Sequence, residues 1–250
     1  MTLSEVRVTV LIENTAARSD LATEHGFSAW VDTGESKVLF DTGASGRVVR
    51  NAEVLGVDLA AADAIVLSHR HADHTGGLEA AAAQASRATV YAHPAAGIVL
   101  HTNPVLTSRK SEAVVPGVLT TGEIARTTDV EAEGGYAHMP DDQALFFEVP
   151  EGVVVVVGCA HAGVVNTLRH VAQLTRSEKI YAVLGGMHLP QASEERLAKT
   201  VEAFRELGLR RIGPCHCTGD RAIRRFESEF PAEFFRCQTG SVLTFGAAGD

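Results

Sequence analysis

The order of apolar segments in this sequence predicts an α/β (α+β) fold, a four-layer αββα sandwich, and three observations carry the prediction. Short apolar strands alternate with helical stretches, the pattern of sheets covered by helices. The two halves echo each other: Val66-Leu67-Ser68-His69 runs into a glycine-containing helix, and Val157-Gly158-Cys159-Ala160-His161 does the same. No proline-rich, Gly/Ser-rich or single-sign tract divides them, so residues 1–250 are expected to form one domain built of two similar halves. Two sheets face to face with helices outside is the simplest packing for such duplicated halves.

Taken in order, residues 6–12 alternate as a strand, and 27–31 and 37–40 follow, the last ending at Asp41-Thr42-Gly43. A helix over 46–55 is closed by Gly56, a residue that readily takes the left-handed conformation at a helix end. Residues 64–67 are short and wholly apolar, as in a strand covered on both faces. A helix over 75–85 and a strand over 89–92 continue the alternation. Residues 101 to about 142 hold several Gly, Pro and Thr and read as short strands and loops. Strands over 144–149 and 153–157, a helix over 163–176 and a strand over 180–184 resume the pattern. A helix over 193–207, opened by Ser193, a strand over 211–213, a helix over 220–229 and closing strands near Phe234 and over 242–245 complete it.

Composition narrows the function. With 22 basic against 31 acidic residues and a formal net charge of −9, the chain has no electrostatic footprint for a phosphate backbone, and no nucleic-acid partner is expected. No basic and apolar leader opens the chain, and no apolar run approaches the roughly 20 residues that span a bilayer, so a cytoplasmic location without membrane contact is expected. Four cysteines in 250 residues are not a secreted disulfide framework. The unusual number is eleven histidines.

Three of them fall in His69-Arg70-His71-Ala72-Asp73-His74, between a buried strand and a helix. Imidazole and carboxylate are ligands for a borderline ion such as Zn²⁺. In an extended turn His69 and His71 project to one side, while Asp73 and His74 at the helix start can point at a second ion. A solvated loop at a helix N-cap would account for Asp73 but not for three histidines in six residues. A second observation is independent: four apolar strands end just before His69, His161, His188 and His216, and a fifth delivers Asp41. Ligand sites collect at the carboxyl ends of strands in α/β arrangements.

Leu39-Phe40-Asp41-Thr42-Gly43, the segment from Ser68 to Gly77, Gly158-Cys159-Ala160-His161 and Pro214-Cys215-His216-Cys217 resemble the successive motifs of the metallo-β-lactamase superfamily over nearly the whole chain. Ile12-Glu13-Asn14-Thr15, Glu24-His25-Gly26, Asp141-Asp142-Gln143-Ala144-Leu145, residues 161–168, Gly185-Gly186-Met187-His188-Leu189 and Cys215-His216-Cys217-Thr218-Gly219 are similar to one branch of it, the dihydropterin ribofuranosylaminobenzene 5'-phosphate synthase-like proteins. The resemblance implies a four-layer metallo-β-lactamase sandwich in which His69, His71 and His161 hold one metal and Asp73, His74 and His216 a second, with Asp41 orienting ligands behind them. It departs in one respect: an acidic residue usually bridges the two ions, and Glu178, Glu194, Glu195, Glu202 and Glu206 all fall at a strand entrance or in a helix. Either His188 completes the second site or solvent alone bridges it. Asp73 and His188 are the candidate catalytic residues. Glu24, His25, Asp142 and His188 are the candidate substrate contacts, with Asp141 and Asn166 as weaker candidates, while Arg109 and Lys110 read more simply as solvated loop charges.

Two divalent ions, Zn²⁺ first with Mn²⁺ or Fe²⁺ as alternatives, can share a hydroxide at neutral pH and polarise a substrate oxygen. That supports hydrolysis of an ester, lactone, amide or phosphoester of a small-molecule substrate. It equally supports a transferase of the synthase type implied by the branch, which displaces diphosphate, and a metal-binding protein without catalysis is the third alternative. Cys215 and Cys217, one residue apart, lack the spacing of a structural zinc site. Gly76-Gly77 and Gly185-Gly186 fit close backbone approach better than a phosphate cradle. His93, His101, His138 and His170 carry no evident role.

Overall fold

The apolar alternation resolves into two sheets, described here over residues 1–127 and 139–246 of a computed structural model. His138 lies outside the described residues. The first sheet holds β1 (Val6–Ile12), β2 (Ser28–Asp32), β3 (Lys37–Phe40), β4 (Ala64–Val66), β5 (Thr89–Ala92), β6 (Val105–Thr107) and β13 (Val242–Phe245), in the order β13-β1-β2-β3-β4-β5-β6. The second holds β7 (Lys110–Val115), β8 (Val118–Gly122), β9 (Ala144–Val149), β10 (Gly152–Val157), β11 (Ile180–Gly186) and β12 (Arg211–Cys215), in the order β12-β11-β10-β9-β8-β7.

The strands are apolar on both faces because both faces are covered. In β10, Val154 and Val156 join the core between the sheets, with Val8, Phe40, Phe147 and Phe245. Val153, Val155 and Val157 point the other way, into a layer with α4 (Val164–Thr175), α5 (Glu194–Glu206) and α6 (Asp220–Glu229). On the far side α1 (Arg47–Leu55) and α3 (Leu78–Gln84) bring Val48, Ala52, Leu78 and Ala81 against Leu11, Leu39 and Ile65 of the first sheet. The result is the four-layer αββα sandwich. Gly56 caps α1 at φ 69°, and the Arg196 amide donates to the Ser193 hydroxyl at 3.1 Å to open α5.

Two local differences from the sequence pattern have physical causes. The helix expected over 75–85 is two pieces, α2 (Ala72–Thr75) and α3, because the backbone folds against the loop after β3 at Gly76-Gly77. A Cβ on Gly76 would lie 2.2 Å from the Ala44 carbonyl oxygen, and one on Gly77 2.2 Å from that of Thr42. The strand near Phe234 is a single bridge to Ile212. The stretch after residue 101 contains the short strands expected there, β6, β7 and β8, of which β6 and β7 lie at sheet edges and are partly exposed, which blurs their hydrophobic period. Among the described residues no helix is long and apolar enough to cross a membrane.

What the fold does for function is set by direction. β3 and β4 run parallel, as do β10, β11 and β12. Their carboxyl ends deliver Asp41, His69, Cys159 with His161, His188 and His216.

Candidate metal centre

The strand ends turn sharply where they deliver these side chains. Five non-glycine residues among those described have positive φ, and four stand at this edge: Asp41 at 55°, Ala160 at 51°, His188 at 48° and His216 at 50°. Each such conformation costs an L-residue roughly 1–2 kcal/mol, and strain of this kind persists where function fixes the geometry.

Two donor sets result. His69, His71 and His161 each offer a ring nitrogen within 4.8 Å of the others, and the Nε2 atoms of His69 and His161 are 3.2 Å apart. Asp73, His74, Cys159 and His216 form the second set. There His74 Nε2 lies 3.2 Å from His216 Nε2, 3.1 Å from Cys159 Sγ and 3.5 Å from Asp73 Oδ2, which is 3.3 Å from His216 Nε2. Tetrahedral donors at zinc–nitrogen distances of about 2.0–2.1 Å stand about 3.3–3.4 Å apart, so these edges fit a divalent ion at the centre of each set.

Outer partners fix which nitrogen faces inward. His74 Nδ1 donates to Asp41 Oδ2 at 2.7 Å. The Ser68 hydroxyl donates to the same carboxylate at 2.7 Å and thereby accepts from His69 Nδ1 at 2.8 Å. His216 Nδ1 donates to Asn14 Oδ1 at 3.2 Å. All three rings thus present Nε2 to the donor sets. Asp41 is fully buried and also accepts the Ser68 amide at 2.7 Å, so one carboxylate orients a ligand of each set.

Electrostatics separates the sets. Burial and the neighbouring imidazoles push His161 down to about 3 and His69 well below the usual range, and burial lowers His71. The first set is therefore neutral and ready to ligate at neutral pH. Burial disfavours charge on His74 too, but Asp41 and Asp73 outweigh it and raise that ring to about 10. Burial alone would raise the Asp73 carboxyl, but His216 and His74 hold it well below the usual carboxylate range. Burial pushes the Cys159 thiol up.

A pH dependence of stability follows for protein stripped of metal. His161, His69 and His71 bind protons more weakly folded than unfolded, so the unfolded chain holds more protons below about 6.5 and stability falls as pH drops. Asp142, raised by burial to about 7, acts in the opposite direction, and three imidazoles outweigh one carboxyl. The contribution of His74 is complete below 6.5 and is lost toward about 10, so it changes little between pH 7 and 5. The urea midpoint of chelator-treated protein is expected to be lower at pH 5 than at pH 7; an equal or higher midpoint contradicts neutral imidazoles in the first set.

The expected substrate contacts divide. An open cavity of about 480 Å³ is lined by His25, His71, Asp73, Cys159, His161, His188 and Cys217 among others. The largely exposed His25 reaches Asp73 at 3.5 Å, and its ring centroid is 4.7 Å from that of His216. The His188 ring lies 4.5 Å from that of His161. Glu24 and Asp142 are elsewhere engaged. Glu24 accepts the Ala44 and Ser45 amides and the Ser45 hydroxyl, holding the loop before α1. Asp142 is buried and accepts the Ala162 amide at 2.7 Å, fixing the turn that carries His161. Both anchor loops, and neither is among the residues lining the cavity. Asp141 does the same for the first motif by accepting the Arg70 amide at 2.8 Å. Asn166 bonds Thr127 and Ala162, and Arg109 pairs with Glu123. Outside the centre, the His93 ring caps the turn at Ala95 and His170 donates to the Thr121 carbonyl.

Sequence reasoning assigned no role to Glu13, Asn14, Ser68 or Cys159. Glu13 is buried and accepts the His216 amide at 2.7 Å. Its signal was available: an acid directly after the apolar run of β1 repeats the placement of Asp41 after β3.

Comparison with known proteins places the chain in one family. The profile of the Metallo-beta-lactamase superfamily matches residues 22–216. The 7,8-dihydropterin-6-methyl-4-(beta-D-ribofuranosyl)-aminobenzene-5'-phosphate synthase of Methanocaldococcus jannaschii is 28% identical over 287 residues, covering 97% of this chain and 98% of the relative. The crystal structure of Tm1679, described as a metal-dependent hydrolase of the beta-lactamase superfamily, superposes with a TM-score of 0.82 at 31% identity, over 95% of this chain and 98% of that one. The metallo-beta-lactamase fold protein YhfI of Bacillus subtilis shares the fold, with a TM-score of 0.67 at 16% identity over 96% of this chain and all of that one.

Proposed function

The chain belongs to the metallo-β-lactamase superfamily, and from that premise we propose that it is a hydrolase using two divalent ions to cleave an ester, lactone, amide or phosphoester of a small molecule. The observation that carries the reading is the pair of donor sets, His69/His71/His161 and Asp73/His74/His216, opening on one cavity. Zn²⁺ suits these imidazole and carboxylate donors, with Mn²⁺ or Fe²⁺ as alternatives. Ions held there supply an activated water at neutral pH and a Lewis acid for the substrate oxygen.

The remaining work falls to side chains. Asp41 and Ser68 hold His74 and His69 in the tautomers that ligate. Asp73, held as a carboxylate, faces the cavity and can accept a hydrogen bond that orients an attacking water. His188 and His25, on the cavity wall, orient the substrate, and His188 can hand a proton to the leaving group. Among the described residues no Lys or Arg lines the cavity, so an anionic substrate depends on the ions.

A second reading is a transferase displacing diphosphate with an aromatic amine, favoured by the full-length similarity to the Methanocaldococcus synthase. The two part on one test. Protein reconstituted with Zn²⁺, Mn²⁺ or Fe²⁺ is offered chromogenic esters, lactones and phosphoesters in water alone, then a pterin-methyl diphosphate with and without an aminobenzene acceptor. Turnover in water alone supports the hydrolase. Product only with the acceptor supports the transferase, and absence of turnover in every arm leaves a metal-binding protein.

A further inference from the structure

The four cysteines divide into two pairs, and only one pair faces the candidate metal centre. Cys159 and Cys217 line its cavity. Cys215 and Cys237 are buried in the core between the sheets, and among the described residues neither belongs to a donor set. Backbone register places these two side by side. Ile212 of β12 bridges Phe234 in parallel, its amide donating to the Glu233 carbonyl and its carbonyl accepting the Phe235 amide. Pro214 lacks the amide that would extend this ladder, so the bridge stays single. The two segments still keep in step. A Cβ on Gly213 would lie 2.2 Å from the Phe235 ring, so residue 235 stands over residue 213, and two places further on Cys237 meets Cys215. Alternation of strand side chains agrees: Ile212 and Phe234 pack into the helix-covered layer, whereas Phe235, Cys215 and Cys237 pack between the sheets. Burial, and then the neighbouring Cys237 thiol, push the Cys215 thiol up.

Paired positions on neighbouring strands stand about 4.8 Å apart, inside the roughly 4.4–6.8 Å between Cα atoms that a disulfide spans. A cavity of about 180 Å³, lined by both cysteines and by Asn14, Gln238 and the exposed Arg236, gives a small oxidant a way to the sulfurs. We propose that Cys215 and Cys237 are an oxidation site, a dithiol that a peroxide converts reversibly into a disulfide. Two thiols and one hydrogen peroxide become one disulfide and two waters. The first sulfur takes an oxygen as the O–O bond breaks, and the other oxygen leaves as water with the proton of that thiol. The second sulfur then forms the S–S bond and expels the hydroxyl, which leaves with the second thiol proton as water. The bond closes a loop over 215–237 that contains α6. It fastens the strand end just before His216 to the segment in which Thr239 and Gly240 bond Thr15 and Val10. Glu13, which accepts the His216 amide, lies in the same tie through its own carbonyl, bonded by the Thr239 hydroxyl.

The test treats the reduced, folded full chain with hydrogen peroxide, blocks the remaining thiols with iodoacetamide and maps tryptic peptides without reduction. Cleavage after Arg211, Arg221 and Arg236 leaves Cys215 with Cys217 in one peptide and Cys237 alone in another. A cross-link between these two peptides is expected. It should disappear with dithiothreitol, survive in Cys217→Ser and be absent from Cys215→Ser and Cys237→Ser. Cys237 that stays fully alkylated, or that is found only as a sulfinic or sulfonic acid, overturns the proposal. A Cys237 cross-link that is lost in Cys217→Ser, or that runs to Cys159, also overturns it. If Cys215→Ser does not fold, the wild-type map, Cys217→Ser and Cys237→Ser decide.

Discussion

Asp73→Ala is expected to retain one divalent ion per chain in place of two and to lose at least about 10³-fold in turnover, since the activating power of the paired ions goes with the second. Asp73 is the cleanest point at which to cut the second site. Its carboxylate is part exposed, and the side chains it faces, His25, His74 and His216, all belong to the centre itself. His74→Ala is a harsher cut, because Asp41 would be left buried with one partner fewer. His71→Ala is the mirror experiment: the ring belongs to the first set alone, and its loss should release the first ion. Metal content of dialysed protein and turnover on the best substrate check both variants. Two ions retained in Asp73→Ala would mean that this residue is not a ligand.

Gly185→Ala is expected to cost at least about 4 kcal/mol, in the range reached only by severe strain or core disruption. Gly185 pairs with Val157 across β10 and β11 at φ 119°, and a Cβ there would sit 1.9 Å from the Val157 carbonyl oxygen. Backbone, not a movable side chain, blocks the site. These two strands deliver Cys159, His161 and His188, so the variant should lose ions along with stability. Gly97→Ala is the control: φ is 65° and nothing lies within 4 Å of the added carbon, so the cost should be about 1–2 kcal/mol. Urea denaturation measures both, and equal costs would show that the β10–β11 approach does not need glycine.

Much of this centre is legible from sequence because its ligands are local or follow strands. His69, His71, Asp73 and His74 are contiguous, and His161 and His216 each follow a readable apolar run. The layering is legible for the same reason: period-two runs apolar on both faces require cover on both sides. What sequence does not carry is direction. Glu24 and Asp142 read as available acids, yet backbone amides of Ala44, Ser45 and Ala162 claim their oxygens. The break between α2 and α3 comes from carbonyls of a distant loop, which leave no trace beyond two glycines. Cys159 reads as a small apolar residue until Sγ is seen 3.1 Å from a nitrogen 85 residues away in the chain.

As proposed, one cavity holds two ions in separate donor sets. Anomalous diffraction from metal-loaded crystals, recorded at and below the zinc edge, tests it most directly. Two peaks are predicted, one enclosed by His69, His71 and His161 and the other by Asp73, His74, His216 and Cys159. A single peak, or peaks away from these side chains in fully loaded protein, would contradict it.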